Sequence, residues 1–176
     1  MTERIIIAGS GGQGIMLMGK VLAEAVMREN KRITWLPSYG AEVRGGTAHC
    51  MIIISDKEIG SPYVEIADTL VIMNALSLEK FKNRVHKNGT LILNSSLTPH
   101  YAHKNAHIEQ HPFTDIALRI GNIKIANMVA LGCLIGKKHT VSLETVSQVI
   151  SDIAPADKKA LIGINQQALE EGAGLS

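Results

Sequence analysis

Aromatic side chains supply only 3% of the 176 residues: two Phe, one Trp and three Tyr. So few rings exclude a stacking surface for single-stranded nucleic acid and leave the core to Ile, Leu, Val, Ala and Met. Cysteine is nearly absent. Cys50 and Cys133 stand far apart, cannot build a four-cysteine zinc or iron–sulfur site, and read as small core residues rather than a disulfide. No sign of charge dominates, since the formal net charge is +2, which is too small to imply a polyanion partner. Lys80, Lys82, Arg84, His86 and Lys87 read as one solvated helix face. No apolar run approaches a membrane span, and Ile5–Ala8 is too short for the core of a signal peptide. The expectation is a soluble, cytoplasmic chain with neither a nucleic-acid nor a membrane partner. Its length suits one domain over 1–176, with a tail that frays from about Gly172.

What is present is glycine in two places. The first follows the apolar run Arg4-Ile5-Ile6-Ile7-Ala8 and reads Gly9-Ser10-Gly11-Gly12-Gln13-Gly14. The run predicts a buried strand and the glycines a tight turn. Ile15 to Arg28, with Leu17, Val21, Leu22, Ala25 and Val26 spaced for one face, predicts a helix. Such a turn bends without a Cβ clash and frees N–H groups at a helix start, which favours an anion such as a phosphate. The alternative is that the glycines only let strand and helix pack closely. Gln13 weighs toward a ligand, because an amide at the apex has no evident core role. A dinucleotide site would also want a carboxylate at the end of the second strand. Ile33-Thr34-Trp35-Leu36-Pro37-Ser38 has none, which argues against a nicotinamide cofactor.

The second place is Ser38-Tyr39-Gly40-Ala41-Glu42-Val43-Arg44-Gly45-Gly46, a loop between strands expected at Arg32–Leu36 and Thr47–Ser55. Arg44 can hold a carboxylate or phosphate in bidentate fashion, or it can pair with Glu42 inside the loop. A loop after the second strand of a parallel sheet lies at the same edge as the first glycine turn, where ligands of such sheets bind. Ala67–Met73 and Thr90–Asn94 predict further strands, with a helix from Ser77, as N-cap, to about Val85 between them. His107–His111 suits a short outer strand. Helices are expected at Thr114–Ile120, at Ile125–Ile135 with small residues for packing on the sheet, at Ser142–Ile153, and from Ala156 to Glu171. The alternation predicts an α/β fold with a mostly parallel sheet covered by helices.

Little else suggests chemistry. His100, His103, His107 and His111 have helical spacing, but Pro99 and Pro112 break a continuous helix and no set of metal ligands is complete. His49 and Cys50 are adjacent on a strand, point to opposite faces and cannot act together. Two further functional classes stay open on the residues alone: a free-standing nucleotide-binding protein, and a scaffold module without a ligand.

The two glycine segments, together with Ile54-Ser55-Asp56, Gly121-Asn122 and Asn127-Met128-Val129-Ala130-Leu131-Gly132, closely resemble the gamma subunit of the 2-oxoacid:ferredoxin oxidoreductases, most nearly those of 2-oxoglutarate enzymes. The resemblance runs from about Arg4 to Gly163. It implies a Rossmann-like domain in a heteromeric complex with alpha and beta subunits, and in some a ferredoxin-like delta subunit. The complex would oxidise a 2-oxoacid, 2-oxoglutarate first and pyruvate among the others, to an acyl-CoA and carbon dioxide and reduce ferredoxin. Thiamine diphosphate, magnesium and iron–sulfur clusters would sit on the partner chains. The isolated chain would be inactive, with no catalytic residue and no metal of its own. Gly9, Gly11, Gly12, Gln13, Gly14, Ser38, Tyr39, Gly40, Glu42, Arg44, Gly45 and Gly46 would face the active site or the path of CoA.

Overall fold

Ile5, Ile6 and Ile7 are completely buried at the centre of β1 (Thr2–Ser10) in a computed structural model that describes residues 2–38 and 46–175. Their side chains alternate, so Ile5 and Ile7 enter one apolar cluster and Ile6 the other. A strand that is apolar on both faces must be covered on both, which places it inside the sheet. The order is β2 (Arg32–Ser38), β3 (Thr47–Ser55), β1, β4 (Ala67–Ile72), β5 (Val85–Asn94) and β6 (His107–His111). The ladders β1–β4, β4–β5 and β5–β6 are parallel, while β3 runs antiparallel to both β1 and β2. The α/β class with a mostly parallel sheet is therefore as expected, and the reversed β3 is not. Its cause is chain length. The connection 39–46 is shorter than the dozen or so residues that a parallel crossover needs, so the chain returns beside β2 in the opposite sense.

The two faces are covered unequally. Helices α1 (Ile15–Arg28), α3 (Phe113–Ile120), α4 (Ala126–Lys138), α5 (Leu143–Ile153) and α6 (Ile162–Ala173) pack on the side of Ile5 and Ile7. The short α2 (Ala75–Phe81) supplies Leu78 and Phe81 to the side of Ile6. Within α4, every residue from Ala126 to Ile135 is buried, as befits a helix enclosed all round. Gly132 of this helix serves a neighbour other than the sheet. A Cβ on Gly132 would lie 2.0 Å from the Leu169 carbonyl oxygen, and one on Gly172 would lie 2.0 Å from that of Val129. The two helices thus interlock backbone to backbone.

That contact corrects the expectation of a frayed tail. Gly172 is buried, α6 runs to Ala173, and Leu175 packs against the core. The segment before α6 is a 3-10 helix (Ala156–Leu161) rather than α-helix. The cap of α2 is Asn74, whose side chain accepts the Ser77 N–H at 2.9 Å, and Ser77 itself is buried. Nor is there one basic helix face. His86 and Lys87 already belong to β5, and Arg84 donates to the carbonyls of Val64 and Glu65 with its guanidinium 5.6 Å from the Tyr63 and Phe81 ring centres.

Edge strand β6 is tied to the end of α4 by Lys137, which donates to Glu109 Oε1, while His111 Nε2 lies 3.4 Å from the other carboxylate oxygen. The Lys137 hydrogen bond leads in holding the Glu109 carboxyl below its ordinary value of 4.5. A lowered carboxyl stabilises the fold above its ordinary pKa, and that contribution is lost as pH falls through the lowered one. Denaturant midpoints measured below pH 4.5 should therefore fall less steeply for Glu109→Gln than for the unaltered chain. Parallel slopes would refute this.

Candidate functional site

The carboxyl ends of β1 and β4 and the start of β3 meet at one edge of the sheet. Ser10 ends β1 opposite Thr47, and Ser38 ends β2 opposite His49. Gly46 directly precedes Thr47, so both anchors of the second glycine loop stand beside the first glycine turn. Tyr39, Gly40, Glu42, Arg44 and Gly45, including the choice between ligand and ion pair for Arg44, lie outside the described residues.

The turn itself is held by polar contacts. Gly12 and Gly14 have φ of +86° and +73°, where a side chain would be strained, and Gly14 is the N-cap of α1. No side chain caps this helix and its first turn carries no acid. A glycine-rich helix start of this kind is suited to an anion. Ser10, Gly11, Gly12, Gly14, Ile15, Met16, Leu17, Ser38 and Ala48 line a cleft of about 330 Å³ here.

Gln13 has the structural role that its sequence position concealed. Its Oε1 accepts the Ser10 N–H at 2.7 Å and its Nε2 donates to the Met73 carbonyl at 3.3 Å. The amide thus pins the apex of the turn to the end of β4, and the reading of Gln13 as an amide without a structural task is corrected. Gly9 is close-packed as well, since a Cβ there would lie 2.7 Å from both Gln13 Oε1 and Ile15 Cδ1. Close packing thus accounts for Gly9, and a Cβ on Gly14 would likewise meet Asn127 Nδ2 at 2.4 Å, while Gly11, Gly12 and Gly14 also line the cleft.

Three asparagines, of which the sequence reading named only Asn127 within a motif, complete the edge. Asn74 Nδ2 donates to Ser10 Oγ, joining the ends of β4 and β1. Asn94, fully buried at the end of β5, donates to the Met73 carbonyl at 3.1 Å and to Thr114 Oγ1 at 2.9 Å, and accepts the Thr114 N–H. Asn127 of α4 donates to the Gly14 carbonyl at 3.2 Å. The missed signal was positional: Asn74 and Asn94 both directly follow an apolar strand run.

The histidines do not converge on a ligand set. His107 and His111 lie on β6, and among the described residues no group of three His, Cys, Asp or Glu side chains is placed to hold a metal. His49 lies 4.9 Å from the Phe81 ring, whereas Cys50 is in the opposite cluster, so the two point apart as expected. Cys50 and Cys133 are both buried and unbridged. Burial pushes each thiol up to about 12, and a thiol that stays protonated is a poor nucleophile. Iodoacetamide at neutral pH should leave both unmodified in the folded chain and label both in denaturant; rapid native labelling would contradict the burial.

Fold and edge together define an α/β domain with a glycine turn and a cleft at the carboxyl end of β1. The chain belongs to the pyruvate ferredoxin/flavodoxin oxidoreductase family, whose description matches residues 4–175. It is 36% identical over 170 residues to the ketoisovalerate oxidoreductase subunit VorA of Methanothermobacter thermautotrophicus, covering 97% of this chain and 35% of that one. The chain thus spans about a third of the length of that relative. With the 2-oxoglutarate synthase subunit KorC of Methanocaldococcus jannaschii it shares 32% identity, covering 94% and 92% of the two chains. Among solved structures, the gamma subunit of a keto/oxoacid ferredoxin oxidoreductase from Geobacter sulfurreducens superposes with a TM-score of 0.85 at 26% identity, over 98% of this chain and 97% of that one. The 2-oxoglutarate:ferredoxin oxidoreductase of Magnetococcus marinus superposes with a TM-score of 0.89 over 99% of this chain and 31% of that one; at 22% identity this likeness is one of fold.

Proposed function

We propose that this chain is the gamma-type subunit of a 2-oxoacid:ferredoxin oxidoreductase, and that its glycine turn and the loop 38–46 border the path of CoA. The whole enzyme would convert a 2-oxoacid, CoA and oxidised ferredoxin to an acyl-CoA, carbon dioxide and reduced ferredoxin. Thiamine diphosphate, magnesium and iron–sulfur clusters would be held by alpha and beta chains, with a delta chain in some assemblies. The observation that carries this reading is the match along nearly the full length of both chains to a gamma subunit of such an enzyme. The role at the CoA path is supported by the glycine-rich start of α1, whose first turn carries no acid, and by the coenzyme A and succinyl-CoA bound to the Magnetococcus enzyme.

For the substrate we favour 2-oxoglutarate, because the 2-oxoglutarate synthase subunit matches end to end. The ketoisovalerate relative, at 36% identity, supports a branched-chain acid as the second reading. The test is to tag the chain in its source cell, purify it without oxygen, and assay viologen reduction with a panel of 2-oxoacids, each with and without CoA. CoA-dependent reduction with co-purifying subunits is expected, with 2-oxoglutarate fastest. A lone chain without activity would overturn the subunit reading, and a CoA response unchanged by Arg44→Ala would remove Arg44 from the CoA path.

A further inference from the structure

The edge of the sheet opposite the glycine turn carries charge of one sign. From Lys80 to Ile108 the chain has no Asp or Glu, whereas Lys80, Lys82, Arg84, Lys87 and Lys104 are cations with histidines among them. The fold gathers most of this stretch at the amino ends of the parallel strands β4, β5 and β6. Thr90 of β5 pairs with His107 of β6, and beside that pair the Asn88 N–H donates to the Asn105 carbonyl at 2.6 Å. Lys87 and Lys104 flank this hydrogen bond and are both exposed. Arg84 stands one residue before β5, its guanidinium held by the Val64 and Glu65 carbonyls and lying 5.6 Å from the Tyr63 ring centre. Tyr63 is 57% exposed, and Ile66, next before β4, is 41% exposed. Among the described residues Arg84, Lys87 and Lys104 belong to no ion pair. Of the acids nearest to them in the chain, Glu79 pairs with Lys82 and Asp68 with Arg4, which leaves Glu65 alone to offset the charge.

We propose that this basic edge docks an acidic face of the partner chain that carries the rest of the enzyme. This rests on the reading of the chain as a gamma-type subunit, and adds the surface and the charge that hold it in place. The matching stretch is about a third of the VorA relative but nearly the whole of the KorC relative. Where such a domain is a separate chain, an interface must do what the covalent link does in the longer one. The occupant is therefore the counterpart of the remaining two-thirds of that longer chain. The carboxyl edge is left to the ligand, and the Ile5 side of the sheet is already closed by α1, α3, α4, α5 and α6. The Ile6 side has only the short α2, and Tyr63, Arg84 and Lys87 border it. Tyrosine and arginine are the residues that anchor interfaces, with lysines at the rim setting which partner is accepted. An arginine already held by two carbonyls loses little freedom on docking. A two-fold contact with a second copy through the same edge would set cations against cations, so the occupant is acidic and unlike this chain.

The test is competition for a limiting supply of partner chains. Unaltered and variant chains with different tags are co-expressed in equal amounts with the partners, and their ratio in the purified complex is read. Lys87→Glu/Lys104→Glu should be outcompeted about tenfold, the scale of charge pairs turned repulsive. Tyr63→Ala should be outcompeted about fivefold, as for a lost aromatic anchor. Lys20→Glu/Lys159→Glu makes the same change of net charge on the helical side and should compete evenly. Thermal midpoints of the isolated variants, expected within about 2 °C of the unaltered chain, separate docking from folding. Hydrogen exchange of the unaltered chain gives a second measure that needs no variant: residues 82–88 and 101–107 should exchange more slowly in the complex than in the free chain. Even incorporation of the Lys87/Lys104 variant, equal losses in the two lysine pairs, or exchange unchanged by assembly would overturn the proposal and leave the subunit reading standing. Protection that grows with the concentration of the free chain would overturn it too, by giving the edge to a second copy. A chain that purifies with no partner would overturn both readings.

Discussion

Gly132→Val is expected to lower the thermal midpoint of the chain by about 10 °C, or to leave no folded protein. The magnitude follows from geometry. A Cβ at this position meets the Leu169 carbonyl oxygen at 2.0 Å and the Ala173 nitrogen at 2.8 Å. These are backbone atoms, which cannot swing aside as a side-chain tip can, so α4 and α6 must part along their whole contact. Overpacking of this kind costs about 3 kcal/mol, and for a domain of this size each kcal/mol is worth about 2–4 °C. The control lies in the partner helix. A Cβ added to Gly163 of α6 would meet nothing within 4 Å, so Gly163→Ala should stabilise by roughly 0.5–1 kcal/mol through helix propensity. Thermal unfolding of the two variants side by side is the measurement. Equal effects would mean that the helices do not interlock through their glycines.

Asn94→Leu should cost about 3 kcal/mol and, in the assembled enzyme, reduce the CoA-dependent rate. Asn94 is fully buried and its amide serves three groups: the Met73 carbonyl, the Thr114 hydroxyl and the Thr114 N–H. Leucine has the same branched skeleton of heavy atoms, somewhat bulkier, but no polar atom, so the site stays filled while buried groups lose partners at about 1–3 kcal/mol each. The Met73 carbonyl is also the anchor of Gln13. Loss of Asn94 therefore loosens the turn from behind without altering any residue of the cleft. Denaturant titration of the isolated chain would give the first effect, and viologen reduction by the complex the second. An unchanged midpoint would show that these contacts contribute nothing net; a lower midpoint with full activity would separate the network from the turn.

Much of the fold was legible in the residues because burial on two faces leaves a plain trace. Ile5-Ile6-Ile7 had to be an inner strand, and Ser142 caps α5 as predicted by accepting the Thr145 N–H at 3.1 Å. Where a local pattern permitted two answers, the wrong one could win. Ser77 looked like a cap because serine caps helices, but Asn74 had the same ability and stood at the strand end. The basic run from Lys80 to Lys87 looked like one face because its spacing suits a helix, yet β5 begins at Val85. Gln13 looked available to a ligand because its partner, Met73, is sixty positions away.

The sequence by itself determined the class of the chain, its strand–turn–helix start and its family, since these rest on short-range patterns of apolar residues and glycine. Only the tertiary structure decided that Gly132 and Gly172 serve each other rather than the sheet, and that Gln13 and Asn94 share one carbonyl. The physical reason is common to both. Hydrogen bonds and close approaches between distant segments depend on which backbone groups end up within about 3 Å of each other, and nothing in the local order of residues encodes that distance.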